Sequence, residues 1–311
     1  MKRDTCPLCG SSEVSDFHRE ARDYVTGDTF DVLRCRKCEV GFTFPQPENM
    51  ELYYPGNYRR YNAWVLITLK TLYNFQVHRW RKLFKKSGSA LEMGCGDGLM
   101  LDALRRKGWM VAGTERTQEM ADFARNTLGL QVYVGGLEEI PHGQKFDLII
   151  LFQVLEHLND PVTVIKQCAD LLAPEGKLII AVPNSRSWQS RYSTASWFHL
   201  DVPRHLFHFS PTSLQYALNI AGLTISTISY ISFEHDPYGW VQSILNKKFD
   251  NQNKLTRQLM NLDRFTSGHI FALVMSIVLI IPSLVVSIAS WVNHSGAIMQ
   301  VVSSHKNATN L

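Results

Sequence analysis

The residues with most chemistry in them are three glycines and two glutamates. Residues 90–98 read Ala-Leu-Glu-Met-Gly-Cys-Gly-Asp-Gly, follow a short apolar run and open an amphipathic stretch over 99–107. Glu92 precedes the turn, and Gly94, Gly96 and Gly98 fall at every second position. A dinucleotide fingerprint would need its third glycine where Leu99 stands, and a P-loop would need a following G-K-[ST], so neither is present. Glycines let a backbone turn sharply and approach a ligand, and the helix that follows offers unpaired N–H groups. A carboxylate at Glu92 suits a cationic amine. Glu115, about 20 residues after the turn and at the end of the next apolar run, suits the two hydroxyls of a ribose. The bland alternative is a tight strand-to-helix turn.

Two further clusters carry chemistry. Cys6-Pro-Leu-Cys9 and Cys35-Arg-Lys-Cys38 are separated by 25 residues. Each pair can place two thiolates on one tetrahedral zinc, and together they close the site as structural zinc sites are closed. A redox pair or a disulfide framework is the competing reading, and His18, between the pairs, is a substitute ligand candidate. The segment is short for a core of its own, so metal should supply its folding energy. Cys95 and Cys168 lack a partner at ligand spacing and read as core thiols. Farther on, His199, Asp201, Arg204, His205 and His208 crowd a loop that leads into a helix opened by Ser210-Pro211.

The elements that must position these groups alternate. Strands are expected near 89–93, 109–114, 131–134, 147–152 and 177–183, with helices between them, which implies a parallel sheet covered on both faces and a ligand at the carboxyl ends of its strands. The glycine turn and both glutamates fall at those ends.

With the turn and Glu115 in place, Lys145-Phe-Asp-Leu-Ile-Ile-Leu-Phe-Gln-Val-Leu-Glu-His-Leu-Asn-Asp-Pro161 and Leu171-Leu-Ala-Pro-Glu-Gly-Lys-Leu-Ile-Ile-Ala-Val-Pro-Asn184 closely resemble class I S-adenosylmethionine-dependent methyltransferases, over about residues 89–232. The resemblance implies an α/β, Rossmann-like fold, a seven-stranded mostly parallel sheet with helices on both faces. It implies that Glu92, Gly94, Gly96 and Gly98 hold the methionine moiety and that Glu115 holds the ribose. Leu137 and Glu138 would touch the adenine, and Gln153 would face the cofactor. Residues 196–211 resemble the substrate-side segment of methyltransferases of bacterial cell-envelope and polysaccharide pathways. Because a sulfonium already carries its leaving group, such an enzyme aligns a nucleophile and removes a proton, for which His157 or His205 is the base, with Asp201 orienting an imidazole.

The C-terminal region is unusual. Residues 269–292 contain no Asp, Glu, Lys or Arg and would span roughly 36 Å as one helix, enough for a bilayer, yet Pro282 interrupts the middle. Residues 295–306 alternate like a strand, as do 223–232, and the two look like the closing pair of the methyltransferase sheet, parted by an insertion. The expectation is therefore a membrane-associated helical hairpin broken at Pro282, with Lys247, Lys248, Lys254, Arg257 and Arg264 toward anionic headgroups. A single span and a buried subunit interface are the rivals.

The chain of 311 residues thus divides into a zinc-ribbon-like segment (1–46), an aromatic and helical linker or lid with Tyr53, Tyr54, Tyr58 and Tyr61 (47–86), the methyltransferase domain (87–232 and 295–307) and the insertion (233–294). Net charge of +4 is too slight to argue for nucleic acid. The start has no apolar signal region, which points to the cytoplasm, at the inner face of the membrane. The expected activity is methyl transfer to a small-molecule or lipid-linked sugar or envelope-glycan acceptor. The alternative is an RNA methyltransferase whose zinc ribbon grips RNA.

Overall fold

A computed structural model describes residues 3–54, 63–84, 86–250, 253–260 and 266–306. Tyr58, Tyr61 and Arg264 lie outside them.

The N-terminal part forms β1 (Val14–Arg22), β2 (Thr29–Cys35) and β3 (Gly41–Phe44), then a long helix, α1 (Ala63–Arg81). The alternation expected from the sequence follows except between β6 and β7, where a single 3-10 turn at Leu137–Glu139 stands in place of a helix: β4 (Ser89–Met93), α2 (Leu99–Arg105), β5 (Met110–Glu115), α3 (Gln118–Leu128), β6 (Gln131–Val134), β7 (Phe146–Phe152), α4 (Pro161–Leu171) and β8 (Leu172–Pro183). After a short α5 (Trp188–Ser193) come β9 (Phe207–His208), α6 (Pro211–Ile220), β10 (Leu223–Ser229), α7 (Asp236–Phe249), α8 (Lys254–Leu259), α9 (Ser267–Val292) and β11 (Ile298–His305).

The large sheet has seven strands in the order β10-β11-β8-β7-β4-β5-β6, with only the pairings of β11, to β8 and to β10, antiparallel. Its centre is apolar on both faces, as helix-covered parallel strands require: Leu148, Ile149, Ile150 and Leu151 of β7 and Leu178, Ile179 and Ile180 of β8 are all fully buried. Each such side chain contributes about 1.5–3 kcal/mol by leaving water. Local chemistry sets the helix starts. Asp160 caps α4 through the Thr163 N–H ahead of Pro161, and Ser210 and Ser213 cap α6 reciprocally ahead of Pro211.

The small sheet departs from the expected layout. Its order is β1-β2-β3-β9, so its last strand comes from residues 207–208, inside the stretch assigned to the methyltransferase domain. Thr43 reinforces that junction: its hydroxyl donates to the His205 carbonyl at 2.7 Å, and its N–H donates to the Leu206 carbonyl.

The apolar segment is not a hairpin broken at Pro282. It is one helix of 26 residues, and Pro282 sits inside it. Tertiary packing outweighs the proline cost of about 3 kcal/mol. The helix runs antiparallel to α7: Trp291 near its end donates to Asp236 at the start of α7 at 2.6 Å, while Phe271 near its start meets Phe249 at the end of α7 with rings 5.0 Å apart. Val241, Leu245 and Ala272 pack between them, and the buried Ser283, Ser287 and Ser290 give α9 a small-residue face. The helical hairpin of the insertion is thus α7 against α9.

Asp236 is the tie. Fully buried, it accepts hydrogen bonds from Trp291 Nε1 and from the Ala297 and Ile298 N–H groups, and burial pushes its carboxyl up to about 7. Trp291→Phe removes one donor to this group and leaves a small cavity where the indole's second ring stood. A loss of about 1.5–3 kcal/mol is expected, read as a lower urea midpoint with unchanged slope.

Candidate active site

Glu92 sits near the carboxyl end of β4, with its carboxyl group buried and Oε2 without a hydrogen-bond partner among the described residues. Burial, with Asp97 and Glu115 nearby, holds that carboxyl well above the usual carboxylate range. Gln153, one residue past β7, has φ +56° and a buried Nε2 that also lacks a partner. Strands β4 and β7 pair in parallel, with Glu92 opposite Ile150. An orphaned acceptor and an orphaned donor therefore lie at the same edge of adjacent strands, which is what a carboxylate-and-ammonium ligand would satisfy.

The glycines divide by role. All three have positive φ, +69°, +54° and +78° for Gly94, Gly96 and Gly98. A Cβ at Gly98 would lie 2.5 Å from Leu130, so that glycine serves the packing of α2 on its neighbours. A Cβ at Gly94 would meet Val154 at 2.7 Å, whereas at Gly96 nothing lies within 4 Å. Gly96 faces open space, as a ligand cradle requires. Glu115 reaches across: its Oε2 accepts the Gly96 N–H at 3.1 Å, and its Oε1 accepts the Thr117 N–H and hydroxyl. Beyond β6, Leu137 is buried in the main core, and exposed Glu138 accepts the Gly136 N–H.

Downstream of β7, Glu156, His157 and His205 meet, one ligand-type atom from each within 4.8 Å of the others. The ring centroids of His157 and His205 are 4.6 Å apart. His157 Nδ1 lies 2.9 Å from the Arg204 carbonyl and His205 Nδ1 lies 3.0 Å from the His199 carbonyl. A carbonyl only accepts, so both rings carry their proton on Nδ1 and keep Nε2 as the basic nitrogen. Sequence reasoning missed Glu156, which is 1% exposed; its adjacency to His157 was the available signal.

Asp201 does not orient an imidazole by hydrogen bonding. Its Oδ1 accepts two bonds from Arg204, at 3.0 and 2.7 Å, and its Oδ2 is 3.8 Å from His205 Nε2. Burial pushes the Asp201 carboxyl up, but the Arg204 guanidinium more than offsets that and the group ends at about 2. Arg204, wholly buried, also pairs with Asp23 at 2.8 Å, donates to the Tyr53 carbonyl and lies over the Tyr24 ring. His199 and His208 are buried, and burial pushes both well below the usual histidine range. His208 Nε2 is 3.0 Å from Thr43 Oγ1, which makes it part of the junction between the sheets.

The four N-terminal cysteines converge, with all Sγ atoms within 4.8 Å of one another and Cys6–Cys38 and Cys9–Cys35 at 3.6 Å. A tetrahedron with metal–sulfur bonds of about 2.3 Å has edges of about 3.8 Å, so the set fits zinc. The two knuckles match in backbone too: Gly10 and Glu39, each following the second cysteine, have φ +70° and +64° and donate to the Cys6 and Cys35 carbonyls. His18 is not part of the cluster; it lies in β1 and is buried elsewhere. Cys95 and Cys168 are buried free thiols, as expected.

A family model described as "Methyltransferase domain" matches residues 68–228. The chain belongs to that family. Its sheet order and glycine turn are those expected of a class I S-adenosylmethionine-dependent methyltransferase. Among curated relatives, the ubiquinone biosynthesis O-methyltransferase of Coxiella burnetii is 34% identical over 105 residues, 32% of this chain and 45% of that protein. The protein of the same name from Xanthomonas euvesicatoria is 30% identical over 157 residues, 46% of this chain and 66% of its own length. The chain thus spans about half to two thirds of the relatives it matches. A solved methyltransferase from Archaeoglobus fulgidus aligns with a TM-score of 0.49 at 16% identity, covering 78% of this chain and 99% of that one. One from Thermotoga maritima, described as a possible histamine N-methyltransferase, gives 0.47 at 17% identity over 77% and 92%.

Glu92 carries the first test at this site. Where an ammonium group must be met by a buried carboxyl held high, cofactor uptake releases the carboxyl proton. Affinity should therefore rise about tenfold per pH unit up to the raised value and level off above it. Glu92→Gln should weaken cofactor binding by about 2 kcal/mol, roughly thirtyfold, and abolish the proton release. Calorimetry in two buffers of different ionisation enthalpy reads both effects.

Proposed function

We propose that this protein transfers the methyl group of S-adenosylmethionine to a hydroxyl of a small-molecule or lipid-linked acceptor, at the cytoplasmic face of a membrane, with zinc holding its N-terminal sheet. The bound cofactor supplies an electrophilic methyl that already carries its leaving group. What remains for the chain is to orient the acceptor oxygen and take its proton. The observation that carries the reading is the paired imidazoles of His157 and His205, both with basic Nε2, at the carboxyl edge that also holds Glu92 and Gln153. Glu156 and Asp201, 3.9 and 3.8 Å from His205 Nε2, stabilise that ring once it is protonated.

An acceptor in or on a bilayer is supported by α9. Its most apolar window has mean hydropathy 2.7 and is 17% buried, and Ile277, Ile281 and Val292 are each about 70% exposed. Because α7 lies along it, a transbilayer orientation would carry exposed Lys248 and the protein body into hydrocarbon. An orientation in the interface buries the apolar face and leaves Lys248 and Lys254 at headgroup level. Of the other basic residues, Lys247 and Arg257 donate to the Tyr192 and Tyr24 carbonyls instead. Of the ribbon's basic residues beside the second knuckle, Arg34 is turned inward over the Phe17 ring, which leaves exposed Arg36 and Lys37 to meet an RNA.

The reading is tested by incubating the protein with labelled cofactor and a cell extract that is then separated into lipid, small-molecule and RNA fractions. Label on a hydroxyl in the lipid or small-molecule fraction supports it, and label only in RNA or in no fraction overturns it. Ile277→Glu with Ile281→Glu should release the protein from anionic vesicles, at least tenfold in partition, with an unchanged melting temperature.

A further inference from the structure

Against β1 and β2 of the small sheet lies a cavity of about 460 Å³ that the methyl-transfer geometry does not use. Its walls come from β1 and β2 on one side and from residues 185–194, directly after the carboxyl end of β8, on the other. Three guanidinium groups line it: Arg34, Arg186 and Arg191. Among the described residues Glu39 is the carboxylate paired with them, 3.4 Å from Arg186. Arg34 is held flat, its guanidinium carbon 3.5 Å from the Phe17 ring centroid and its Nη2 3.4 Å from Ser185 Oγ.

The lining is also short of partners. His18, 8% exposed, and Ser190, fully buried, both border this cavity, and His18 Nε2, Ser190 Oγ and Arg34 Nε have no hydrogen-bond partner among the described residues. Buried polar groups are nearly always satisfied, so three orphans on one cavity with excess positive charge imply a missing ligand that accepts hydrogen bonds. Planar guanidiniums match the tetrahedral oxyanions of phosphate groups in pairs.

We infer that this cavity binds a phosphoryl or diphosphate group of the acceptor. The inference rests on the reading of the β8 edge as the acceptor side. His208 of β9 links the cavity wall to the imidazole pair: its ring lies 6.5 Å from that of His205, and His18 and Arg34 are near enough to act on it electrostatically. An acceptor anchored by its phosphate at Arg34 and Arg186 has its remaining part directed along that edge. The chemistry is common to soluble sugar nucleotides and to lipid diphosphates.

The test titrates the full-length protein with inorganic pyrophosphate at constant ionic strength. Saturable binding is expected, weakened at least tenfold by Arg34→Gln and by Arg186→Gln and unchanged by Lys107→Gln on the far surface. Should Arg34→Gln fail to fold, the exposed Arg191→Gln serves with Arg186→Gln. Competition by a nucleoside diphosphate or by a polyprenyl diphosphate in vesicles then separates the two sources. Absence of saturable binding, or equal binding in all variants, overturns the inference. Cofactor calorimetry on the same samples keeps the outcomes apart: failure of pyrophosphate binding with intact cofactor binding removes only the phosphate site, whereas wild-type protein that binds no cofactor removes the methyl-transfer reading.

Discussion

Stripping metal from the four-cysteine cluster, or replacing Cys35 and Cys38 together by serine, is expected to unfold the small sheet and to abolish turnover with it. Zinc sites of this kind contribute about 10–16 kcal/mol near neutral pH, as much as the whole stability of an ordinary domain. Ala21, Phe30 and Val32 pack the small sheet against Trp197, Leu200 and Val202, but its knuckle end is built on the cysteines: Cys6, Cys35 and Cys38 are themselves buried core residues, packed with Leu8 and Val40. The consequence reaches the imidazoles because β3 pairs with β9 and Thr43 holds the backbone of His205 and Leu206. Elemental analysis should give about one zinc per chain, and chelation should lower the melting temperature and expose the first 50 residues to protease. Chelated protein that melts and turns over like the untreated form would sink the assignment.

His205→Ala should lower kcat by about 10²–10⁴, the usual contribution of a positioned general base, and leave cofactor affinity within twofold. His157→Ala shares the environment, but Glu156 and Asp201 stand beside the Nε2 of His205, so the loss on removing His157 should be the smaller. The split matters, because a merely structural histidine would change affinity, stability and rate together. The acid limb of the pH–rate profile should vanish in the variant lacking the base, and added imidazole should restore part of the rate. Two variants that both keep turnover within threefold of the parent would show that the acceptor oxygen needs no side-chain base.

How far the sequence reached depended on how local each feature was. The strands β4 to β8 fall within a few residues of the expected ranges because each is an apolar run bounded by turn residues. Gly94, Gly96 and Gly98 take positive φ as expected of a turn that only glycine tolerates. The cysteine spacing led directly to four converging thiols, since two knuckles separated by a hairpin can meet in one way. By contrast, Gly98 turned out to serve helix packing, and Asp201 to hold Arg204, because each answers to a residue distant in space or competing for the same oxygen.

Sequence alone, then, determined the order of the sheet-forming strands, the glycine turn with its positive φ angles, the places of Glu92 and Glu115 near strand ends, and the convergence of four cysteines. All are written in short windows where backbone preference or ligand spacing decides. Tertiary structure decided the rest. It donated β9 to the small sheet, paired His157 with His205, kept α9 whole through Pro282 by laying α7 along it, and gathered Arg34 with Arg186 around one cavity. Each of these depends on contacts between segments tens to more than a hundred residues apart, where neither periodicity nor propensity acts and only packing, burial and charge select the outcome.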